Sequence, residues 1–260
     1  MRIKVFYISA VFSGMSLLAN AQILSLLPEN FTPKKGEKIA VHFISGDQFN
    51  KDEDGKYQAS ETESLSLFEG TKKVDASAIP HDSGDAQVLS FVPKNEGMVM
   101  LDLALKPAVT EVDREKFIKY LDDQGFSKLS DKAKNSNLET FRVKSTWFLK
   151  TLVAYEKTGG GAFDKLQNQT FDIVLQQNPF KKNYGDDITA VVYFKGKPVQ
   201  GAAVTLYVRT VAGNVYPQLM MSDNTGEVYF KLSREGLYML HAVTMDLPKD
   251  RGADFESWDA

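Results

Sequence analysis

The chain has 260 residues, a formal net charge of −3 and no cysteine. That charge gives no electrostatic footing for nucleic acid, and the missing thiols exclude disulfides, thiolate metal ligands and cysteine nucleophiles together. A 43% hydrophobic content is enough for a packed core and too much for a disordered chain.

Arg2 and Lys4 open the chain, an uncharged apolar stretch runs from Val5 to Leu18, and Ala19-Asn20-Ala21 follows. Charged, apolar and small-residue segments in that order make a secretory signal peptide. The order predicts cleavage after Ala21, a mature chain beginning at Gln22, and a periplasmic or secreted protein of bacterial type. The apolar stretch falls short of the roughly 20 residues of a membrane span, so the mature protein is expected not to cross the membrane.

Residues 37–45 are rich in β-branched and aromatic side chains and read as a strand. The acidic run that follows places Asn50, Asp52 and Asp54 at loop positions 1, 3 and 5, Gly55 at 6 and Glu61 at 12. Side chains at that spacing converge on calcium, and the last Glu can bind with both oxygens. The competing reading is an acidic hairpin turn with Asp54-Gly55 at its tip. Residues 64–69 and 72–74 flank a Gly70-Thr71 turn. Residues 87–92 and 97–105 are further strands, the last closed by Pro107.

The period then changes. Thr110 to Gln124 sets Val112, Phe117, Ile118 and Leu121 on one helical face, with Thr110 as cap, Asp113 three residues on, and Gly125 as stop. A second helix is predicted over Asn137 to Tyr155, because Leu138, Phe141, Ser145, Phe148, Leu149 and Leu152 recur at three- and four-residue steps. On it Arg142 and Lys150 would share a side, to hold an acidic ligand or to pair with carboxylates. Gly159-Gly160-Gly161 reads as a flexible joint. No Gly-Lys-Ser or Gly-Lys-Thr follows it, which argues against a phosphate loop.

From Thr170 the pattern is β again. Strands are predicted at 171–175, 187–194, 199–208, 227–232 and 237–245, with Lys195-Gly196-Lys197-Pro198 and Asp223-Asn224-Thr225-Gly226 as turns. Short strands at this spacing indicate a β-sandwich. Asp254, Glu256 and Asp259 beside Trp258 read as a solvated tail, or as the lining of a sugar or metal site. The expected fold is mainly β. It comprises two β-sandwich-like domains: residues 22–165, carrying a two-helix insert at 110–156, and residues 170–260.

Gly196 to Val204, Ser222 to Phe230 and Gly236-Leu237-Tyr238 resemble a transthyretin-like or carboxypeptidase-regulatory β-sandwich. That module accompanies many functions and indicates fold alone. The mature chain as a whole resembles the DUF4198 family, which is related to periplasmic nickel-uptake components. The resemblance rests on Phe117 to Leu121 with Gly125, Arg142 ahead of Lys150-Thr151-Leu152-Val153, Leu175 to Phe180 with Gly185, and Ala253 to Trp258. Relatives carry a His directly after the signal, whereas Gln22 stands here. They also continue past the Trp258 region into a closing strand, which leads us to expect one strand fewer in this sandwich.

Three histidines offer imidazole, the ligand transition metals favour. His42 and His241 sit mid-strand and read either as half-buried strand residues or as ligands. His81 follows Pro80 in a polar loop and reads as solvated. The candidate metal residues are therefore His241 and His42 for nickel or zinc, and Asn50, Asp52, Asp54 and Glu61 for calcium, which ranks behind. No Gly-x-Ser-x-Gly or other catalytic motif stands out, so the expectation is a non-enzymatic binding protein. The family resemblance implies an accessory to metal-ion or solute uptake across the envelope, with a membrane transporter or outer-membrane receptor as partner. A structural or adhesive module binding protein or glycan is the alternative.

Overall fold

A computed structural model describes residues 23–46, 53–54, 57–76, 79 and 88–260. The first half contributes strands β1 (Ile23–Pro28), β2 (Ile39–Gly46), β3 (Glu53–Asp54), β4 (Thr62–Glu69), β5 (Lys72–Asp75), β6 (Val88–Phe91), β7 (Gly97–Leu105) and β8 (Ala108–Asp113). Helices α1 (Arg114–Asp123) and α2 (Ser127–Lys134) follow, then a long strand, β9 (Thr140–Tyr155). The second half contributes β10 (Phe171–Leu175), β11 (Asp187–Phe194), β12 (Lys197–Pro198), β13 (Ala203–Thr210), β14 (Val215–Met221), β15 (Glu227–Lys231), β16 (Gly236–Asp246) and β17 (Phe255–Asp259). The mainly β class with a helical insert is what the patterning predicts.

One nine-stranded sheet runs through both halves in the order β14-β13-β16-β17-β9-β7-β4-β5, with β8 also on β9. Its pairings are antiparallel except that β17 lies parallel to β9. Two four-stranded sheets cover it: β1-β2-β3 with β6 on β2, and β10-β11-β12 with β15 on β11.

Side-chain alternation along β9 shows how the layers stack, because successive residues point to opposite faces. Leu149 and Val153 pack with Leu24, Val41 and Leu89 of the first small sheet. Phe148 packs with Phe171 and Val192 of the second. Farther back, Phe141 and Val143 meet Phe117 and Leu121 of α1. The first small sheet and the helices thus share one face of the large sheet, and the second small sheet takes the other.

The first helix begins later than predicted. Thr110 lies in β8, and the cap is Asp113, whose Oδ1 accepts from the backbone N–H groups of Glu115 and Lys116 at 3.0 and 3.2 Å. Phe117 anchors the helix by packing on Phe141 and Phe255, at ring-centroid distances of 5.4 and 4.8 Å. Losing the cap in Asp113→Ala should cost about 1 kcal/mol. A urea melt checks this, and an unchanged midpoint would argue against the cap.

The second predicted helix is corrected. Asn137 to Tyr155 is not helical, and β9 occupies nearly all of it. The helical spacing was a coincidence within a segment whose odd positions (Phe141, Val143, Trp147, Leu149, Val153, Tyr155) alternate apolar for half its faces. Its Thr, Val and aromatic content favours a strand. The second helix is instead the short polar α2, whose N-cap Phe126 makes no side-chain capping bond. The predicted solvated tail is also corrected. Residues Phe255–Asp259 form an interior strand, with Trp258 and Asp259 buried. The glycine triplet is held against β7: Met98 N–H donates to Gly159 O at 3.0 Å, and a Cβ on Gly161 would come within 2.7 Å of Met98 Cβ.

Candidate functional site: an apolar cleft beside β16

The predicted metal residues are not brought together. His42 on β2 is occupied, with Nε2 2.8 Å from Glu29 Oε1. His241 on β16 stacks on Trp147 at 6.0 Å, and its Nε2 lies 3.5 Å from Asp259 Oδ1 without a hydrogen-bond partner. Asp54 sits in β3, paired with Ile44, and Glu61 is exposed at the end of a 3-10 turn. Asn50, Asp52 and His81 lie outside the described residues. Among the described residues no group of three or more His, Asp or Glu is placed to hold a metal ion.

Ser257, Asp259 and His241 fall near one another but in the wrong order for nucleophilic catalysis. Ser257 Oγ bonds Asp259 Oδ2 at 3.1 Å, and the carboxylate lies between the serine and His241. An imidazole must face the serine to take its proton, and here the acid stands between them.

The feature that stands out is a cleft of about 710 Å³. Its walls are β1, the middle of β9, β16 from Gly236 to His241, and apolar side chains of the second small sheet such as Ile173, Ile188 and Phe230. Ala260 lies at its inner end. Lys182 and Arg234 stand at its rim, and neither makes an ion pair among the described residues.

β17 lies between β16 and β9, and at Ala260 it exchanges both backbone bonds with Ala242 at 2.8 and 3.0 Å. Beyond that point Gly236–His241 pair with β13 on one edge alone. Across the gap, Phe148–Leu152 pair with β7 on one edge alone. No described strand joins the two facing edges. Leu237, Tyr238, Met239 and Leu240 are accordingly only half-buried, although β16 is interior to the sheet and the facing Leu206 and Val208 of β13 are buried.

Buried charge lies at one wall. Lys150, which the sequence suggested would meet a carboxylate, donates to Asp172 and to Ile173 O at 2.8 Å. It does so from a strand, and Asp172 is fully buried. Arg142 likewise meets Asp254, its Nε 3.8 Å from Oδ2. Asp102 stands opposite Lys150 in the ladder and accepts from Gln169 Nε2. Burial pushes the Asp102 carboxyl up to about 7; Lys150 opposes the rise and Asp172 adds to it.

Sequence reasoning missed both β1 and the cleft. No element is predicted over Ile23-Leu24-Ser25-Leu26-Leu27, although this apolar run closed by Pro28 offers a strand. Asp102, a lone charge inside Met98–Leu105, was the available signal of a buried polar cluster.

Residues 19–246 match the family model described as "Domain of unknown function (DUF4198)". No curated protein matches the chain. Among solved structures, dimeric latent PorU from Porphyromonas gingivalis aligns at 10% identity with a TM-score of 0.20. The alignment covers 92% of this chain and 20% of that one, so the chain spans about a fifth of that protein's length. Among the described residues no helix is long and apolar enough to cross a membrane.

Proposed function

The chain belongs to the DUF4198 family, and we propose that it is an exported, non-enzymatic binding protein that holds a ligand with an apolar body in the cleft beside β16. The observation that carries this reading is the cleft of about 710 Å³ lined mainly by apolar side chains of β1, β9, β16 and the second small sheet. Apolar side chains in such a position gain about 25 cal/mol for each Å² of surface that a ligand removes from water. Lys182 at the rim and Arg234, whose guanidinium lies over the Tyr216 ring, suit a ligand that also carries an acceptor or anionic group. Export rests on the order of segments from Met1 to Ala21, and N-terminal sequencing of the secreted protein should begin at Gln22.

The test is binding of an anilinonaphthalene sulfonate dye, an apolar anion. The folded protein should bind it with enhanced fluorescence, and Leu237→Glu should weaken binding about tenfold or more, the equivalent of one buried leucine. Dye binding indifferent to that change would remove the cleft reading. Uptake of a metal ion is the second use for the same protein, supported by His241 Nε2, which makes no hydrogen bond and lies 3.5 Å from Asp259 Oδ1. A thermal midpoint raised by nickel or zinc, and returned to baseline by His241→Ala, would favour it over the apolar ligand.

A further inference from the structure

We propose that Asp102 and Gln169 form a proton-operated clasp: with a proton on Asp102 the pair fastens the segment joining the two halves of the chain to β7, and loss of that proton lets the segment go. Three observations carry it.

The first is an acceptor with nothing to accept. Gln169 donates from Nε2 to Asp102 Oδ1, while its own Oε1 is buried with no hydrogen-bond partner among the described residues. Buried polar atoms are nearly always paired in native proteins. An ionised carboxylate can only accept, so it cannot serve that oxygen. A protonated carboxyl carries an O–H as well as an acceptor. Its carbonyl oxygen takes the amide N–H, and its hydroxyl is the donor that Oε1 lacks. Acid and amide then close two bonds in place of one.

The second is the setting of the carboxyl. Asp102 is the lone charged residue of β7 and is 5% exposed. The charged groups that face it are Lys150 from β9, Asp172 from β10 and Lys73 from β5. From β4, Ser66 stands opposite it in the ladder and carries no charge. Lys150 is already engaged by Asp172 and by Ile173 O. Burial outweighs the two lysines and pushes the carboxyl up to about 7, so the proton comes and goes near neutrality. Below that value the clasp is closed. Above it the carboxylate faces the amide oxygen as a second acceptor, and its charge competes with Asp172 for the Lys150 ammonium.

The third is where Gln169 sits. Residues 156–170 run from the end of β9 in the large sheet to the start of β10 in the second small sheet. Within this segment Gln167 bonds Ala162 O, Lys165 O and Asp172, so its bonds stay local or go to β10. Lys165, Leu166 and Asn168 are exposed. Asn168 makes a left-handed turn, with φ 61°, and Gln169 after it reaches β7. The side-chain hydrogen bond from this stretch to the large sheet is therefore one whose strength a proton sets.

The experiment is hydrogen exchange on the whole protein, read by mass spectrometry over residues 163–170. Each rate is divided by that of an unstructured peptide of the same sequence at the same pH, which gives a protection factor. Protection should fall about tenfold between about pH 6 and pH 8.5, the worth of one buried hydrogen bond. Asp102→Asn offers an N–H and an oxygen where the protonated acid offers its O–H and oxygen, so this variant should stay protected at both pH values. Gln169→Met keeps the side-chain bulk and removes both bonds, so it should be weakly protected at both. The Asp102 carboxyl carbon, followed by NMR in the wild type, should titrate near neutrality. Flat protection in the wild type overturns the clasp. A fall that survives in Gln169→Met also overturns it, because ionised Asp102 would then act without the amide. Titration of the Asp102 carbon in the ordinary carboxylate range overturns it as well, since no proton would be present to close the pair.

Discussion

Asp102→Asn should stabilise the protein at pH 8 by on the order of 4 kcal/mol, with the gain shrinking toward zero near pH 4. The carboxyl rises from 3.8 to about 7 because burial disfavours its charged form, and each unit is worth about 1.36 kcal/mol. The raised value means that the folded state keeps a proton that the unfolded state has released. Between about pH 4 and 7 the unfolded chain therefore binds fewer protons, and stability falls as pH rises. Above about 7 both states have lost the proton and the penalty is constant. Asparagine retains an oxygen to accept from Gln169 Nε2 and removes the charge. Urea midpoints of both proteins from pH 4 to 8.5 test this, since groups common to both cancel in the difference. A stability difference that does not change with pH would show that Asp102 is not held protonated near neutrality.

That carboxyl illustrates what the sequence could and could not carry. Strands with strict alternation and a turn residue at each end, such as Lys72 to Val74 after Gly70 or Glu227 to Lys231 after Gly226, are local statements, and they fold as read. The β9 segment is not local. Its Leu and Phe spacing satisfies a helix and a strand alike, and the choice is made by β7, β8 and β17, which come from distant parts of the chain. Trp258 and Asp259 read as tail residues because their burial depends on the parallel ladder to β9.

The candidate site is less legible still. The histidines and acids drew attention as residue types, but their partners are fixed by tertiary packing: Glu29 for His42, Trp147 and Asp259 for His241. The cleft is made of ordinary core residues. Leu237 and Leu240 line it because tertiary packing brings β1, β9 and the second small sheet opposite β16, and no local residue pattern encodes that.

Lys150→Met should cost about 3–5 kcal/mol, the usual penalty for leaving a buried charge without its partner. Lys150 is the cation beside both Asp172 and Asp102, and Asp172 is fully buried with Gln167 N–H at 3.3 Å as its other bond. Removing the ammonium leaves Asp172 buried without its cation and takes away the charge that opposes the rise of the Asp102 carboxyl. The loss should therefore be larger at pH 8 than at pH 5. Lys150→Met combined with Asp172→Leu should recover most of it, because an apolar pair of similar volume carries no desolvation cost. A double-mutant cycle on urea midpoints isolates the coupling, and single-variant losses under about 1 kcal/mol would show that solvent reaches the pair. If the double variant is as stable as the wild type yet binds the dye less tightly, the ion pair is a positioning device. It would tie β9 to β10 through Ile173 O and so hold the cleft's two walls at the separation a ligand requires.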